Sequence, residues 1–239
     1  SLGKSGLAQC INVWREPPSH IALRIDPRQE TVSSYLEKLN ALQIKATRCT
    51  LSPLGIHTQP SNIPKLPGLN NQTVYIQDCV HQYIINQIPK LPAGARVLDA
   101  CAAPGGKSAT LMCMQPDIII MAIDKQEKKI QRLQQNLSSY PQARVLLADA
   151  EHPSDWWDNQ QFDAIICDTP CSGSGVIQKH PEVKLTHTPE SISELTQTQA
   201  NLLEKLWPLL KKNGVLLYST CSILREENEE IIEQFIQQT

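Results

Sequence analysis

Residues 96–114, RVLDACAAPGGKSATLMCM, combine a short apolar strand, a turn of small residues and a helix. The strand Val97-Leu98 ends at an acidic residue, Asp99. The turn, residues 102–107, has small side chains of the kind that let a backbone approach a ligand closely. Residues 106–114 then suit a helix. A strand, a small-residue turn and a helix in this order predict the first unit of an α/β fold.

Strands and helices continue to alternate after this stretch. Ile118–Asp124 is a near-continuous apolar run, which is typical of a parallel strand buried on both faces. Further strands are predicted over residues 144–149, 162–168 and 214–221, and helices over residues 126–140, 189–211 and 225–238. This alternation predicts a doubly wound parallel sheet.

The N-terminal part of the chain has a different character and is rich in proline. Residues 20–25 suit a strand, and residues 31–42 have helical spacing with Thr31 as the N-cap. We interpret residues 52–71 as a loop-rich linker and expect helical structure over residues 74–88. The chain is therefore divided into a small α/β module, residues 1–72, and a larger domain, residues 73–239.

Composition excludes several classes of protein. The chain has 239 residues, 41% of them apolar, and no apolar run long enough to span a bilayer, so we expect a cytoplasmic protein. Its eight cysteines lie in a long chain and partly inside apolar strands, which favours reduced thiols over a disulfide framework. Cys167 and Cys171 have no second pair that would complete a zinc site, so no metal is predicted.

Charge is distributed unevenly along the chain. Residues 1–98 hold ten basic and five acidic residues, a formal charge of +5, whereas residues 99–239 hold twelve and nineteen, a formal charge of −7. A polyanion-binding module beside a catalytic domain explains this division, and so does ordinary surface variation.

Acidic residues recur at the ends of the predicted strands. In parallel sheets, ligands bind beyond the carboxyl ends of the strands, where Asp99, Asp124, Asp149 and Asp168 are expected. An acid about 20 residues after a glycine-rich loop suits a ribose diol, and Asp124 has that position. The loop is not a Walker motif, because Cys101 stands where its first glycine belongs. A ribose-containing cofactor without a pyrophosphate fits S-adenosylmethionine.

Two cysteines lie in short motifs at predicted strand ends. Cys171 lies in DTPCSG, residues 168–173, and Cys221 lies in STCS, residues 219–222. A thiolate can add to an electron-poor ring carbon and make the neighbouring carbon nucleophilic. Two thiols near one cofactor therefore indicate covalent catalysis in which one attacks and the other helps to release the product.

Together, LDACAAPGGK, DTPCSGSG and YSTCS resemble the RNA cytosine-5 methyltransferases of the NOL1/NOP2/Sun family. VYIQD, KHPEVK and REENE, at residues 74–78, 179–184 and 225–229, are similar to further segments of that family. His180-Pro181 and Trp207-Pro208 most resemble the bacterial members that act on small-subunit ribosomal RNA. The resemblance extends from about residue 20 to the end.

The resemblance implies a Rossmann-like class I methyltransferase fold, S-adenosylmethionine as cofactor and 16S ribosomal RNA as partner of a monomeric enzyme. Cys221 would be the nucleophile and Cys171 would assist elimination. The cofactor would be bound by Cys101, Ala102, Ala103, Pro104, Gly105, Gly106, Lys107, Asp124, Asp149 and Asp168.

The chemistry assigns further roles. Asp168 would hold a proton toward the ring nitrogen, which requires burial to raise its pKa. Lys107 would lower the pKa of the Cys221 thiol. Candidate contacts to the RNA backbone are the basic residues Arg15, Arg24, Arg28, Lys45, Arg48 and Lys65, of which we rank Arg24 first.

Two alternatives remain open: the same chemistry on tRNA or another RNA, and a non-catalytic RNA-binding assembly factor. The chain also departs from the family, since nothing before Cys10 supplies the helical N-terminal domain of the bacterial members. No strand hairpin follows the last predicted helix before Thr239. We therefore expect a chain that is truncated at both ends, or divergent.

Overall fold

The computed structural model describes residues 18–69 and 73–238, together with positions 6, 9, 11, 12, 14 and 16. Contacts divide the chain into two compact units, residues 19–147, and residues 148–239 together with residues 1–18. Among the described residues, no helix combines the length and the apolar character that crossing a membrane requires.

The first unit begins with a small antiparallel sheet. Its strands are β1 (Ile21–Ile25), β2 (Ala46–Arg48), β3 (Gly55–Thr58) and β4 (Val74–Ile76), in the order β2-β3-β1-β4. Helix α1 (Val32–Ala41) connects β1 to β2. The sheet and the helix confirm the predicted α/β character of this part of the chain.

Helix α1 buries one apolar face on this sheet. The Thr31 hydroxyl accepts a hydrogen bond from Ser34 N at 3.2 Å, which confirms the predicted N-cap. Tyr35 and Leu39 on the helix pack with Leu23 and Ile56 on the strands in one almost completely buried cluster, which is the core of this module. The apolar periodicity of the sequence therefore located the helix correctly.

Two predictions about this region are wrong. Residues 52–71, interpreted as a linker, contain β3, which lies between β2 and β1 in the sheet. Residues 74–88, expected to be helical, begin with β4 and contain only a short helix, α2 (Cys79–Ile85). Both strands are too short to show alternation, and their pairing with β1 outweighs local preference.

The predicted division after residue 72 falls at residues 70–72, outside the described residues, and stays a prediction. β4 follows that division and pairs with β1, with Leu23 opposite Ile76 and Ile25 opposite Val74. The small sheet therefore includes strands from both sides of it.

The remaining strands form a parallel sheet of five strands in the order β7-β6-β5-β8-β9. In the first unit these are β5 (Arg96–Asp99), β6 (Ile119–Asp124) and β7 (Ala143–Leu147), with α3 (Gly106–Met114) and α4 (Glu127–Leu137) between them. Buried Ile120, Ala122 and Ile123 in β6 explain its apolar run. The order reverses direction at β5, which confirms the predicted doubly wound, Rossmann-like class.

The second unit contributes β8 (Phe162–Asp168) and β9 (Leu210–Ser219), and helices α5 (Val183–Thr186), α6 (Pro189–Leu206) and α7 (Glu229–Gln238). The two strands are parallel, with Asp168 opposite Ser219.

Helix α6 begins at a capping box in which Thr188 and Ser191 bond each other's backbone N–H. It ends at Leu206, before the predicted Lys211, and β9 begins at Leu210 rather than Gly214.

Arg24, ranked first as an RNA contact, is 1% exposed and cannot serve as one. Its Nε donates to Gln77 Oε1 at 2.7 Å, and its Nη1 donates to Cys113 Sγ at 3.1 Å. Its guanidinium also lies 4.3 Å from the centre of the Tyr75 ring, a cation–π contact. The sequence pattern of β1 shows a charged residue in a strand but does not show on which face of the sheet its side chain lies. In the structure that face is buried.

The other predicted RNA contacts differ in their surroundings. Arg28 donates to Asp26 Oδ2 at 2.6 Å and to Ser139 O at 2.8 Å, so it is largely engaged within the protein. Lys45, Arg48 and Lys65 are exposed. Arg15 lies outside the described residues.

We predict that Arg24→Ala destabilises the protein by about 2–4 kcal/mol, because it removes charged hydrogen bonds and a cation–π contact from the interior. Exposed Arg48 provides the matched control, and Arg48→Ala should change stability by no more than about 0.5 kcal/mol. Urea denaturation of both variants measures the difference. Weaker RNA binding by Arg24→Ala at unchanged stability would show that our assignment of this side chain to the interior is wrong.

Candidate active site

The glycine-rich loop of the first unit makes a tight turn between β5 and α3. Ala102 N donates to Ile123 O at 2.9 Å, and Gly105 N donates to Ala102 O at 2.6 Å. Gly105 caps α3 with a φ of +101°, and a Cβ there would lie 2.9 Å from Leu133 Cδ1. Both the backbone conformation and the close neighbour require glycine at this position.

Asp124 lies beside this loop at the end of β6 and is 7% exposed. Its Oδ2 accepts from Ala103 N at 3.1 Å, and its Oδ1 accepts from Gln126 N at 2.9 Å. The structure therefore brings together two features that the sequence predicted separately, the small-residue loop and the acid of the following strand.

The flanks of the loop are also fixed by hydrogen bonds. Asn136 Nδ2 donates to Pro104 O at 2.7 Å, and Ser108 Oγ donates to Asp99 Oδ2 at 2.6 Å. Lys107, in the first turn of α3, is 8% exposed. Asp99 therefore connects its strand to α3 and is not a solvated strand-end acid.

The residues of this loop fit a ligand that carries a ribose. An ionised carboxylate offers about four acceptor sites, and the two backbone donors to Asp124 leave room for ligand hydroxyls. Cys101 is only partly buried, and the side chains from Ala102 to Gly106 are small, so the loop backbone is open to close approach.

The second unit brings Cys171 and Cys221 into contact. Cys171 follows β8 and Cys221 follows β9, and their Sγ atoms are 3.2 Å apart. Cys221 N also donates to Cys171 Sγ at 3.3 Å. A disulfide has a sulfur–sulfur distance of about 2.05 Å, so the two side chains are neighbouring free thiols.

The two thiols have different acidities. The S–H of Cys221 donates to Cys171 Sγ and lowers the pKa of Cys171 to about 7, against burial and with help from the N–H groups of Cys221 and Gly173. The same contact, together with burial, raises the pKa of Cys221. The negative charge of the pair therefore resides on Cys171. From the sequence we expect a lowered pKa for Cys221, but the thiol with the lowered pKa is Cys171.

Glycines bring the two cysteine loops close together. Gly175 N donates to Cys221 O at 2.9 Å, and a Cβ on Gly175 would lie 2.7 Å from that oxygen. Gly173 has a φ of +69°, in the left-handed region that favours glycine. These two glycines of the motif DTPCSGSG allow the chain to turn and pass against the backbone of Cys221.

Glu227 is a functional residue that the sequence analysis missed. It is completely buried, and its carboxylate accepts from Ser172 N at 2.8 Å, from Ser172 Oγ at 2.5 Å and from Gln199 Nε2 at 3.1 Å. Burial by itself raises the pKa of Glu227, but the hydrogen bonds from Ser172, Ser222 and Gln199 outweigh it, so the pKa lies below its usual value. The sequence predicts a helix over residues 225–238 and gives no sign that this acidic residue is buried. Its burial and its hydrogen bonds to Ser172 show that it fixes the position of the Cys171 loop.

Asn228 holds the other cysteine loop. Its Oδ1 accepts from Thr220 Oγ1 at 2.7 Å, and its Nδ2 donates to Ser222 O at 3.2 Å and to Leu224 O at 2.7 Å. The adjacent residues Glu227 and Asn228 therefore fix the two loops that carry the thiols.

Two predicted acids also lie in the second unit. Asp168, the last residue of β8, accepts a hydrogen bond at Oδ1 from Ser219 Oγ at 2.7 Å. Asp149 accepts at Oδ1 from Glu151 N at 3.0 Å, which closes a turn after β7.

The fold is that of Rossmann-like methyltransferases. One solved structure with this fold, described as PH0851, has a TM-score of 0.90 and 26% identity, covering 100% of this chain and 54% of that one. A methyltransferase homolog protein from Pyrococcus horikoshii has a TM-score of 0.81 and 29% identity, covering 95% of this chain and 72% of that one.

Residues 88–239 match the family described as 16S rRNA methyltransferase RsmB/F, and the chain belongs to that family. A ribosomal RNA small subunit methyltransferase B from Pseudomonas syringae pv. tomato is 38% identical over 235 residues, 97% of this chain and 52% of that protein. The chain thus spans about half the length of the curated relatives it matches. The predicted family membership is confirmed.

We predict that alkylation of Cys171 by iodoacetamide rises with pH and is half-maximal near pH 7, where its thiolate forms. In Cys221→Ala the midpoint should move upward, because the S–H donor that most lowers the pKa of Cys171 is lost. Mass spectrometry of the alkylated peptides measures both midpoints. An unchanged midpoint in Cys221→Ala would mean that the thiols do not share a proton.

We predict that Glu227→Gln destabilises the protein by about 2–3 kcal/mol at pH 7, because a buried charged acceptor is lost. Its pKa is lowered on folding, so its contribution is present above the usual value of 4.5 and is lost as the pH falls through the lower folded value. Urea unfolding at several pH values should show the difference from the native sequence shrinking in acid. Exposed Glu226→Gln is the matched control and should show neither effect; a similar loss in both variants would contradict the assignment.

Proposed function

We propose that this protein transfers a methyl group from S-adenosylmethionine to carbon 5 of a cytosine in 16S ribosomal RNA, through a covalent cysteine adduct. The observation that carries the proposal is the pair of free thiols, Cys171 and Cys221, held 3.2 Å apart. Membership in the RsmB/F family and the names of the relatives support methylation of ribosomal RNA. We propose further that it acts as a monomer in the cytoplasm.

The resemblance to the family assigns the cofactor to the glycine-rich loop and to acidic residues at or after strand ends. We propose that Asp124 binds the ribose hydroxyls and that the backbone of residues 101–107, with Asp149 and Asp168, forms the rest of the binding surface. The bound cofactor supplies its methyl group as part of a sulfonium. The small side chains of the loop and the remaining acceptor capacity of Asp124 support this assignment.

Cys221 is the proposed nucleophile. Because its thiol is protonated at rest, it needs a neighbouring base, and the thiolate of Cys171 is that base. Cys221 passes its proton to the Cys171 thiolate across the 3.2 Å contact, and its sulfur then forms a bond to carbon 6 of cytosine. Asp168 donates a proton to the ring nitrogen as the bond forms, and Lys107 stabilises negative charge in the site. Carbon 5 becomes nucleophilic and would form a bond to the methyl carbon of the bound cofactor, whose C–S bond would break to leave a neutral thioether.

Release reverses the first addition. Cys171, after giving its proton to solvent, accepts the proton from carbon 5, and the electron pair of that C–H bond restores the ring double bond. The bond between carbon 6 and Cys221 breaks, the thiolate leaves, and the ring nitrogen returns its proton to Asp168. The target base must be unpaired or flipped out for both ring faces to be reached.

We predict that Cys171→Ala accumulates a covalent RNA–protein adduct, because addition by Cys221 is possible and release is impaired. Cys221→Ala should form no adduct. Cys167→Ala is the matched control, since it removes a buried thiol from β8, the strand that precedes Cys171, and should turn over without accumulating an adduct. Denaturing gels with ribosomal RNA and cofactor show the adducts, and an adduct in Cys221→Ala would reverse the assigned roles.

Bisulfite sequencing of ribosomal and transfer RNA, with and without the gene, identifies the substrate. We expect loss of one methylated cytosine from 16S ribosomal RNA. A loss confined to tRNA would show that tRNA is the substrate and would leave the proposed cytosine-5 chemistry unchanged. Unchanged methylation in both RNAs would favour a non-catalytic assembly factor.

A further inference from the structure

Three potential metal ligands converge in the small sheet of the first unit, and none of them is among the residues assigned to methyl transfer. They are Cys49, His57 and Cys79, and their ligand atoms all lie within 4.8 Å of one another. Cys49 follows β2, His57 lies in β3 and Cys79 begins α2. We propose that these side chains bind a zinc ion that cross-links the three elements.

The distances suit tetrahedral zinc. Cys79 Sγ and His57 Nε2 are 3.6 Å apart. A sulfur at about 2.3 Å and a nitrogen at about 2.0 Å from a tetrahedral zinc ion lie about 3.5 Å from each other. Two thiols and one imidazole form a soft donor set that favours zinc over magnesium or calcium.

The backbone makes space for this arrangement. Cys49 N donates to Gly55 O at 2.9 Å, which places the first ligand beside β3. A Cβ on Gly55 would lie 2.8 Å from Cys49 Cβ and 3.0 Å from Cys79 Sγ. Gly55 and His57 are two residues apart on one strand and share a face of the sheet. The absence of a side chain at Gly55 therefore lets both thiols approach the face that His57 occupies.

Two of the ligands are shielded from solvent. Cys49 is 7% exposed and Cys79 is 2% exposed, and Leu51 N lies 3.4 Å from Cys49 Sγ. His57 Nδ1 is also buried and has no hydrogen-bond partner within the described part of the chain.

The three protein ligands leave one position of a tetrahedral ion for a water molecule or another exogenous ligand. His57 also lines an open pocket with His20, whose ring packs edge-on against it at 4.8 Å between ring centres.

This zinc site differs from the sequence-based expectation of no metal. The expectation depended on closely spaced ligand pairs, and here the ligands come from three elements and are brought together only by folding. The site is also independent of the proposed methyl transfer, since it uses neither Cys171 nor Cys221.

The test uses the full chain, reduced, freed of metal with a chelator and prepared without a histidine tag. Cobalt(II) serves as the spectroscopic probe and should give sulfur-to-metal charge-transfer bands and the visible bands of tetrahedral cobalt, which one equivalent of zinc abolishes. Zinc should also raise the melting temperature, and chelation should reverse the rise. A reduced native chain that shows no such bands would overturn the proposal without any variant.

Variants locate the site. Cys49→Ser and Cys79→Ser should each weaken zinc binding by about 100-fold or more, since loss of even a group that orients a ligand costs about 10–100-fold. The matched control is Cys171→Ala combined with Cys221→Ala, which removes the other close thiol pair and should keep the bands. Bands that persist in the Cys49/Cys79 double variant, or that vanish in the control, would overturn the proposal, as would a Cys49–Cys79 disulfide in protein isolated under reducing conditions.

Discussion

The buried carboxylate of Glu227 is the constraint on which the cysteine pair depends. A carboxylate without water costs several kcal/mol unless hydrogen bonds replace the solvent. Glu227 obtains them from Ser172, next to Cys171, and from Gln199 on α6. The Cys171 loop cannot move away without leaving this charge unpaired in the interior. The contact between the two thiols is therefore set by a residue that takes no part in their chemistry.

That contact makes the two cysteines one acid–base unit. Two thiolates at 3.2 Å would repel each other strongly, so the pair carries one charge over a wide pH range. The contact with Cys221 and the backbone N–H groups of Cys221 and Gly173 lower the pKa of Cys171, whereas the contact with Cys171 and burial raise the pKa of Cys221. The negative charge therefore lies on the sulfur of Cys171, whereas the proposed attack requires a thiolate at Cys221. Transfer of one proton between them connects the resting arrangement to the reactive one.

The parts of the fold that the sequence predicted are those with local signals. The apolar run of β6, the spacing of α1 and the glycine-rich loop each depend on neighbouring residues, and the structure has all three. β3, β4 and the burial of Arg24 depend instead on pairing with distant segments, which a single sequence does not reveal. The role of Glu227 in the candidate site was also not predictable, because its hydrogen-bond partners Ser172 and Gln199 are distant in the sequence.

Cysteine has two different environments in this protein, and each favours a different chemistry. Cys171 and Cys221 lie on glycine-rich loops after strands, partly exposed, with backbone donors directed at one sulfur, an arrangement that suits a reactive thiolate. Cys49 and Cys79 are buried beside His57, and two thiols with one imidazole form a soft donor set that suits a metal ion such as zinc. A glycine makes close approach possible at both pairs. The missing side chain at Gly175 leaves space for the backbone of Cys221, and that at Gly55 leaves space for the two thiols near His57. Surroundings, rather than residue type, therefore distinguish the proposed nucleophile from the proposed metal ligands.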